Sequence, residues 1–258
     1  MPKNFVDLSG RVAAVIGGTS GLGRVIAAGL AEAGADVAAT GRRADLVDEV
    51  AGQIEALGRR SLRHPADVSD RDSIDRFRDA LLEAFGHVDI LVNAAGRINK
   101  KPTMDLAQVE WEETMDTNLT GILRACQSFY GPLRSSGHGR VINIASLSSF
   151  VAFFQVAAYS ASKAAALSLT RSLAIEWARD GICVNAIAPG IFRTALNQGL
   201  LDGTERGREL LMRTPAQRFG RPEELVGAAV LLASDAASFI NGQCITVDGG
   251  YLASGVNT

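Results

Sequence analysis

Short apolar runs rich in valine, isoleucine or alanine alternate with amphipathic helical stretches along nearly the whole chain. Strands are expected at Val12–Ile16, Asp36–Thr40, 61–64, Ile90–Asn93, 141–145, 183–187 and Cys244–Val247. Helical patterns fill most of the gaps, among them 25–33, 44–57 and 73–85. Parallel strands need a long crossover between them, and a helix is the usual one. The alternation therefore predicts an α/β fold, a doubly wound sheet of seven parallel strands with helices on both faces. Several runs are apolar at every position, as strands covered on both faces are. No repeat, low-complexity tract or linker interrupts residues 1–258, so one domain is expected.

Composition removes several classes of function. The net charge is −2 and no basic helix or arm is present, which argues against a nucleic-acid partner. No apolar stretch reaches the ~18 residues of a membrane span. The segment from Met1 to Leu8 lacks the apolar core of a signal peptide, so a cytoplasmic protein is expected. Cys126, Cys183 and Cys244 lie far apart in apolar surroundings, and neither they nor His64, His87 and His138 have metal-ligand spacing. Reduced buried thiols and no metal site are the expectation.

The first strand runs straight into Gly17-Gly18-Thr19-Ser20-Gly21-Leu22-Gly23, and a helix follows. Glycines permit a tight turn and a close backbone approach to a pyrophosphate, which then rests on the helix N-terminus. The spacing G-x-x-x-G-x-G differs from the commoner dinucleotide fingerprint. The second strand ends at Thr40-Gly41-Arg42-Arg43. An acidic residue there would hold the ribose 2′-hydroxyl of NAD, whereas arginine accommodates the 2′-phosphate of NADP. Gly41 takes the acidic position, so Arg42 and Arg43 either meet that phosphate or are solvated at a helix start.

Tyr159 and Lys163 lie four apart, on one face of a helix expected to begin near Ala157. A free phenol, with a pKa of ~10, is a poor acid/base at neutral pH. A neighbouring ammonium stabilises the phenolate, and a downward shift of ~3 units corresponds to about 4 kcal/mol. A desolvated Lys163 and a positively charged nicotinamide would together supply it. Ser146 follows the apolar run 141–145, thirteen residues before Tyr159, and Asn118 sits in a helical stretch over 113–127.

With these residues in place the chain resembles the short-chain dehydrogenase/reductase family, in its branch of about 250 residues, over nearly its whole length. The resemblance implies a Rossmann-type fold. It also implies a catalytic set of Asn118, Ser146, Tyr159 and Lys163. Cofactor contacts carried over are Gly17, Thr19, Ser20, Gly21, Leu22 and Gly23; Asp67 and Val68 at the adenine; and Asn93, Ala94, Ala95 and Gly96. Pro189, Gly190, Ile191 and Thr194 match the segment that clamps the nicotinamide carboxamide. In the implied mechanism Tyr159 protonates the carbonyl oxygen and Ser146 hydrogen-bonds it. Lys163 lowers the Tyr159 pKa and binds the ribose, and Asn118 holds a relay water. Two positions depart from the family pattern: Ile16 replaces a threonine and Ala94 an asparagine, both supports of the cofactor site.

The expected cofactor is NADP(H), with NAD(H) also usable, and the expected reaction interconverts a ketone and a secondary alcohol. Within the family, Asn143-Ile-Ala-Ser-Leu-Ser-Ser-Phe150, Arg213-Thr-Pro-Ala-Gln-Arg-Phe-Gly220 and Phe239-Ile-Asn-Gly242 look most like gluconate 5-dehydrogenases and deoxygluconate dehydrogenases. A small-molecule keto-sugar acid would suit Ser146, Ser148, Ser149, Gln155 and Tyr159 beneath a basic substrate lid over 192–215. Arg193, Arg206, Arg208, Arg213, Arg97, Lys100 and Lys101 could each meet its anion or be solvated. A 3-oxoacyl-carrier-protein reductase is the alternative, and a non-catalytic dinucleotide sensor a remoter one. Family members are usually tetramers, and the apolar helices around 106–134 and 156–177 predict a homotetramer.

Overall fold

A computed structural model describes residues 5–194 and 198–256. Six strands form one parallel sheet: β1 (Val12–Ile16), β2 (Asp36–Thr40), β3 (Ile90–Asn93), β4 (Arg140–Ile144), β5 (Cys183–Pro189) and β6 (Cys244–Val247). Their spatial order is β2-β1-β3-β4-β5-β6. The chain winds outward from β1 to β2, then crosses back over β1 to β3. The crevice beyond the carboxyl ends of β1 and β3 lies at this reversal, where doubly wound sheets bind ligands.

Alternate residues of each strand feed two cores. Ala13, Val15, Val37, Ala39, Val92 and Ile142 pack with helices α1 (Gly21–Glu32), α2 (Ala44–Ala56) and, near the C-terminus, α9 (Val226–Ala233). Val12, Ala14, Ile16, Leu91, Val141 and Val184 face the other side. There they meet α3 (Arg71–Phe85), α5 (Gly121–Ser136) and α6 (Ala157–Trp177), through Phe77, Phe129, Leu173 and their neighbours. Between α3 and α6 the chain also forms α4 (Gln108–Met115), and after β5 it forms α7 (Gln198–Leu201) and α8 (Glu205–Met212).

One expectation needs correcting. The sheet has six strands among the described residues, not seven, because 61–64 makes no ladder. That segment runs beside β2, but side chains take over the pairing. Thr40 Oγ1 donates to the His64 carbonyl at 2.7 Å, Ser61 Oγ donates to Val37 O at 2.8 Å, and the Arg60 N–H donates to the Asp36 carboxylate at 2.8 Å. The helical stretch expected over 113–127 is present but not α-helical throughout: a π-helical turn, Asp116–Thr120, lies between α4 and α5.

Candidate active site

Most functional side chains sit near a strand end or a helix start, at the carboxyl edge of the sheet. Gly17 takes φ 78° and Gly21 φ 52°, conformations that favour glycine. A Cβ on Gly17 would strike the Ala94–Ala95 backbone, and one on Gly23 would strike the Gly17 carbonyl. The glycines therefore let the turn after β1 press against the segment after β3. The Gly17 and Gly18 N–H groups both donate to the Thr40 carbonyl, at 2.9 and 3.0 Å, which steadies the turn without a threonine at position 16. Ala94 fills the space beside Gly23, 3.0 Å from where a Cβ would lie.

Helix α1 begins at this turn with no side-chain cap from Ser20 and no acidic residue in its first turn. Its leading N–H groups carry the positive end of the helix dipole and have no intrahelical partner. That suits a pyrophosphate. Thr19 is turned inward: a Cβ on Gly41 would come within 2.6 Å of Thr19 Oγ1, so the pocket floor leaves no room for a carboxylate side chain at 41. Arg42 and Arg43 are exposed at the following corner, and no ion pair holds them among the described residues. Arg42 nevertheless acts on Asp67. Burial raises the Asp67 pKa, but hydrogen bonds from Ser69 and the charges of Arg42 and Arg124 outweigh it and hold the carboxyl below its usual range. Val68 lies beside Gly121, 2.6 Å from where a Cβ there would lie. These residues fit a dinucleotide laid across the ends of β1, β2 and β3.

At the far end of the crevice, Pro189 closes β5 and the Gly190 N–H donates to Val247 O at 2.8 Å. A Cβ on Gly190 would lie 2.6 Å from the Asp248 backbone. Ile191 joins an apolar cluster with Leu147, and Thr194 is half-buried. Residues 195–197 of the expected lid lie outside the described set. Phe192 and Gly220 pair in an isolated bridge at the neck of this excursion.

The four residues expected to do chemistry come together. Lys163 and Tyr159 share one face of α6, with Lys163 Nζ 5.8 Å from the phenol ring centroid. Lys163 is buried, donates to the Ile144 carbonyl at 2.6 Å, and is brought down by desolvation to a pKa of about 8. Burial pushes the Tyr159 phenol above its ordinary value, and its hydrogen bond with Ser146 works the other way. The protein's own groups keep the phenol protonated; the expected lowering calls on the nicotinamide's charge as well as on Lys163. Ser146 lies two residues beyond the end of β4. Its Oγ accepts from the Ser148 N–H at 3.1 Å and lies 3.1 Å from Ser148 Oγ.

Asn118 sits on the π turn, a feature frequent at functional sites. Its Oδ1 accepts from the Arg97 N–H at 2.8 Å, and its Nδ2 donates to Arg97 O at 2.9 Å and Ser162 Oγ at 3.0 Å. A Cβ on Gly96 would sit 3.6 Å from Asn118 Oδ1 and 3.7 Å from Lys163 Nζ. Asn93 is buried on Asn143, donating to Oδ1 at 2.8 Å, so it braces β3 against β4. Ser162 and the Ile144 carbonyl escaped the sequence reading. Ser162 carries no motif signal, and a main-chain acceptor has no residue type to betray it.

The anion candidates divide. Lys101 is held by Glu110, Arg97 by Glu113 and Arg193 by Asp202, so these three are neutralised within the chain. Ser149 also turns away, donating to Lys163 O at 2.8 Å. Gln155 is a non-glycine residue at φ 64°, and its carbonyl accepts from the Lys101 N–H at 2.8 Å. A cavity of about 220 Å³ under the neck, lined by Phe192, Arg218, Glu224 and Asp248 among others, contains none of the four catalytic candidates.

A family model described as enoyl-(acyl carrier protein) reductase matches residues 16–252. A 2-dehydro-3-deoxy-D-gluconate 5-dehydrogenase of Dickeya dadantii is 41% identical over 98% of this chain and 100% of its own. The crystal structure of a gluconate 5-dehydrogenase from Burkholderia cenocepacia, in complex with NADP and tartrate, superposes with TM-score 0.94 at 36% identity. The match covers 98% of this chain and 99% of that one. A short-chain type dehydrogenase/reductase from Mycobacterium marinum gives TM-score 0.92 at 35% identity, over 97% of this chain and 99% of its own. An intact dinucleotide crevice, a Ser-Tyr-Lys cluster at its end and matches over almost the full chain lead to one conclusion: this chain is an oxidoreductase of the short-chain dehydrogenase/reductase family, working with a nicotinamide dinucleotide.

Proposed function

We propose that the chain interconverts the ketone of a sugar acid and the corresponding secondary alcohol, with NADP(H) preferred over NAD(H). The observation that carries the chemistry is the convergence of Ser146, Tyr159 and Lys163 at the end of the crevice. The sugar-acid assignment draws on the Dickeya dadantii relative and on the NADP- and tartrate-bound Burkholderia cenocepacia neighbour. When bound, the reduced nicotinamide supplies the hydride. Tyr159, kept protonated by burial, gives its proton to the carbonyl oxygen, and Ser146 donates a hydrogen bond to that oxygen. Lys163 offsets the charge left on the phenolate and holds the cofactor ribose. Both amide hydrogens of Asn118 are committed to Arg97 and Ser162, so its relay role runs through an oxygen rather than the side-chain nitrogen.

The 3-oxoacyl alternative is not favoured, because two of the relatives reported above, those of Dickeya dadantii and Burkholderia cenocepacia, bear sugar-acid names. The sensor alternative does not suit a chain in which all four catalytic candidates are present and assembled. We further propose that residues 1–258 act as one catalytic domain, with 192–215 as its substrate cover. The domain works in the cytoplasm as a homotetramer. No helix among the described residues is long and apolar enough to cross a membrane. Exposed Val109, Trp111 and Ile175 on α4 and α6 support an oligomer. The deciding experiment assays keto-sugar acids, β-ketoacyl thioesters and steroids with NADPH and with NADH. Turnover of a thioester or steroid, with none of the sugar acids, would overturn the substrate class.

A further inference from the structure

The cations around the substrate cover differ in what neutralises them. Arg193, Arg97 and Lys101 each meet a carboxylate of the chain. Arg206 is half-buried on α8, and no ion pair among the described residues engages it. It lies four residues before Leu210, so both leave α8 on the same side. Leu210 packs with Leu147, Leu201 and Tyr251 in one apolar cluster, against which Phe153 lies. Leu147 follows Ser146 directly, so the cluster runs from the reacting end of the site to Leu210, one helical turn from Arg206. One turn beyond Leu210, Arg213 sets its guanidinium 5.3 Å from the centroid of the Tyr251 ring. Burial raises the Tyr251 pKa; the charge of Arg213 opposes the rise, that of Glu209 adds to it and that of Arg206 opposes it, which sets Arg206 within electrostatic reach of Tyr251.

A half-buried guanidinium with no carboxylate in ion-pair contact has donors to spare for a ligand. Its forked donors match a carboxylate better than a lysine does. We propose that Arg206, presented by α8 beside the Tyr251–Leu147 cluster, binds the carboxylate of the sugar acid and so fixes which carbon reaches Ser146 and Tyr159. The inference rests on the sugar-acid reading and adds the residue that enforces it. Arg206 is a specificity residue: it holds the non-reacting end and does not touch the carbonyl.

The test measures kcat and KM with NADPH for a keto-sugar acid and for an uncharged keto sugar of equal chain length. Wild type is compared with Arg206→Met, Arg206→Lys and Arg213→Met. Loss of a charge-assisted hydrogen bond should raise KM for the acid about ten- to a hundredfold in Arg206→Met. The kcat should be nearly unchanged, because the contact is the same in ground and transition states. The uncharged sugar should be unaffected, and Arg206→Lys should recover part of the acid KM. Equal losses on both substrates, or a larger acid-specific loss in Arg213→Met than in Arg206→Met, would overturn the assignment. If wild type acts on the acid and Arg206→Met is unchanged, only the role of Arg206 falls. If wild type turns over no keto-sugar acid, the sugar-acid reading falls and this inference falls with it.

Discussion

Burial acts on Tyr159 and Lys163 in opposite directions, because each is driven toward its neutral form. For Tyr159 that form is the proton donor that carbonyl reduction needs. For Lys163 it is the form that has lost its charge, and the loss is centred at a pKa of about 8. The sign of the pH dependence follows. Below pH 8 both groups are protonated and reduction is supported; above it the ammonium disappears first. The kcat/KM for ketone reduction should be flat up to neutrality and fall as pH rises through about 8, a limb that reports the free enzyme. A profile that instead rises through that range would exclude Lys163 from the assigned role. Tyr159→Phe deletes one hydroxyl and almost no volume, so folding and cofactor binding should persist while turnover drops by at least ~100-fold. A Phe variant retaining more than a few percent of the rate would show that another residue is the acid.

At the scale of elements, cofactor choice belongs to the corner between β2 and α2. Gly41 is packed against Thr19 and offers no carboxylate, and the next side chain along the corner is the exposed Arg42. A hydrogen bond to a charged group contributes ~1.5–3 kcal/mol, and solvent at the adenosine end favours the lower figure. Arg42→Ala should lower kcat/KM for NADPH about tenfold and barely change it for NADH. A wild type that prefers NADH would reduce both arginines to surface charges. The same corner shows what local sequence leaves open. The composition of 61–64 suits a strand, yet Thr40 and Ser61 hydroxyls bond the carbonyls a ladder would have used. Likewise 113–127 reads as one helix. The π turn within it lets Asn118 bond both backbone groups of Arg97, which lies 21 residues away in sequence.

Across the whole molecule, Ile175 at 80% and Val109 at 57% exposure are apolar side chains that the proposed tetramer would cover. Light scattering of the wild type should give four times the 27.2 kDa chain mass, and a stable monomer at micromolar concentration would refute the tetramer. Ile175→Glu, a buried charge in any interface formed by α6, should shift the mass downward.

The strand and helix alternation, the glycine turn and the Tyr159/Lys163 pair were legible in the chain itself, because each is a short-range pattern with a fixed period or spacing. Backbone geometry converts such spacing directly into a face, a turn or a crossover, with no help from distant residues. Charge neutralisation was not legible. Lys101, Arg97 and Arg193 look as free as Arg206 in the sequence, and only folding reveals which of them has met a carboxylate. The direction of the Tyr159 pKa was equally hidden, since desolvation depends on what the whole fold packs around the phenol. Tertiary structure decided these points because Coulomb and desolvation energies depend on distance and burial in space, and separation along the chain determines neither.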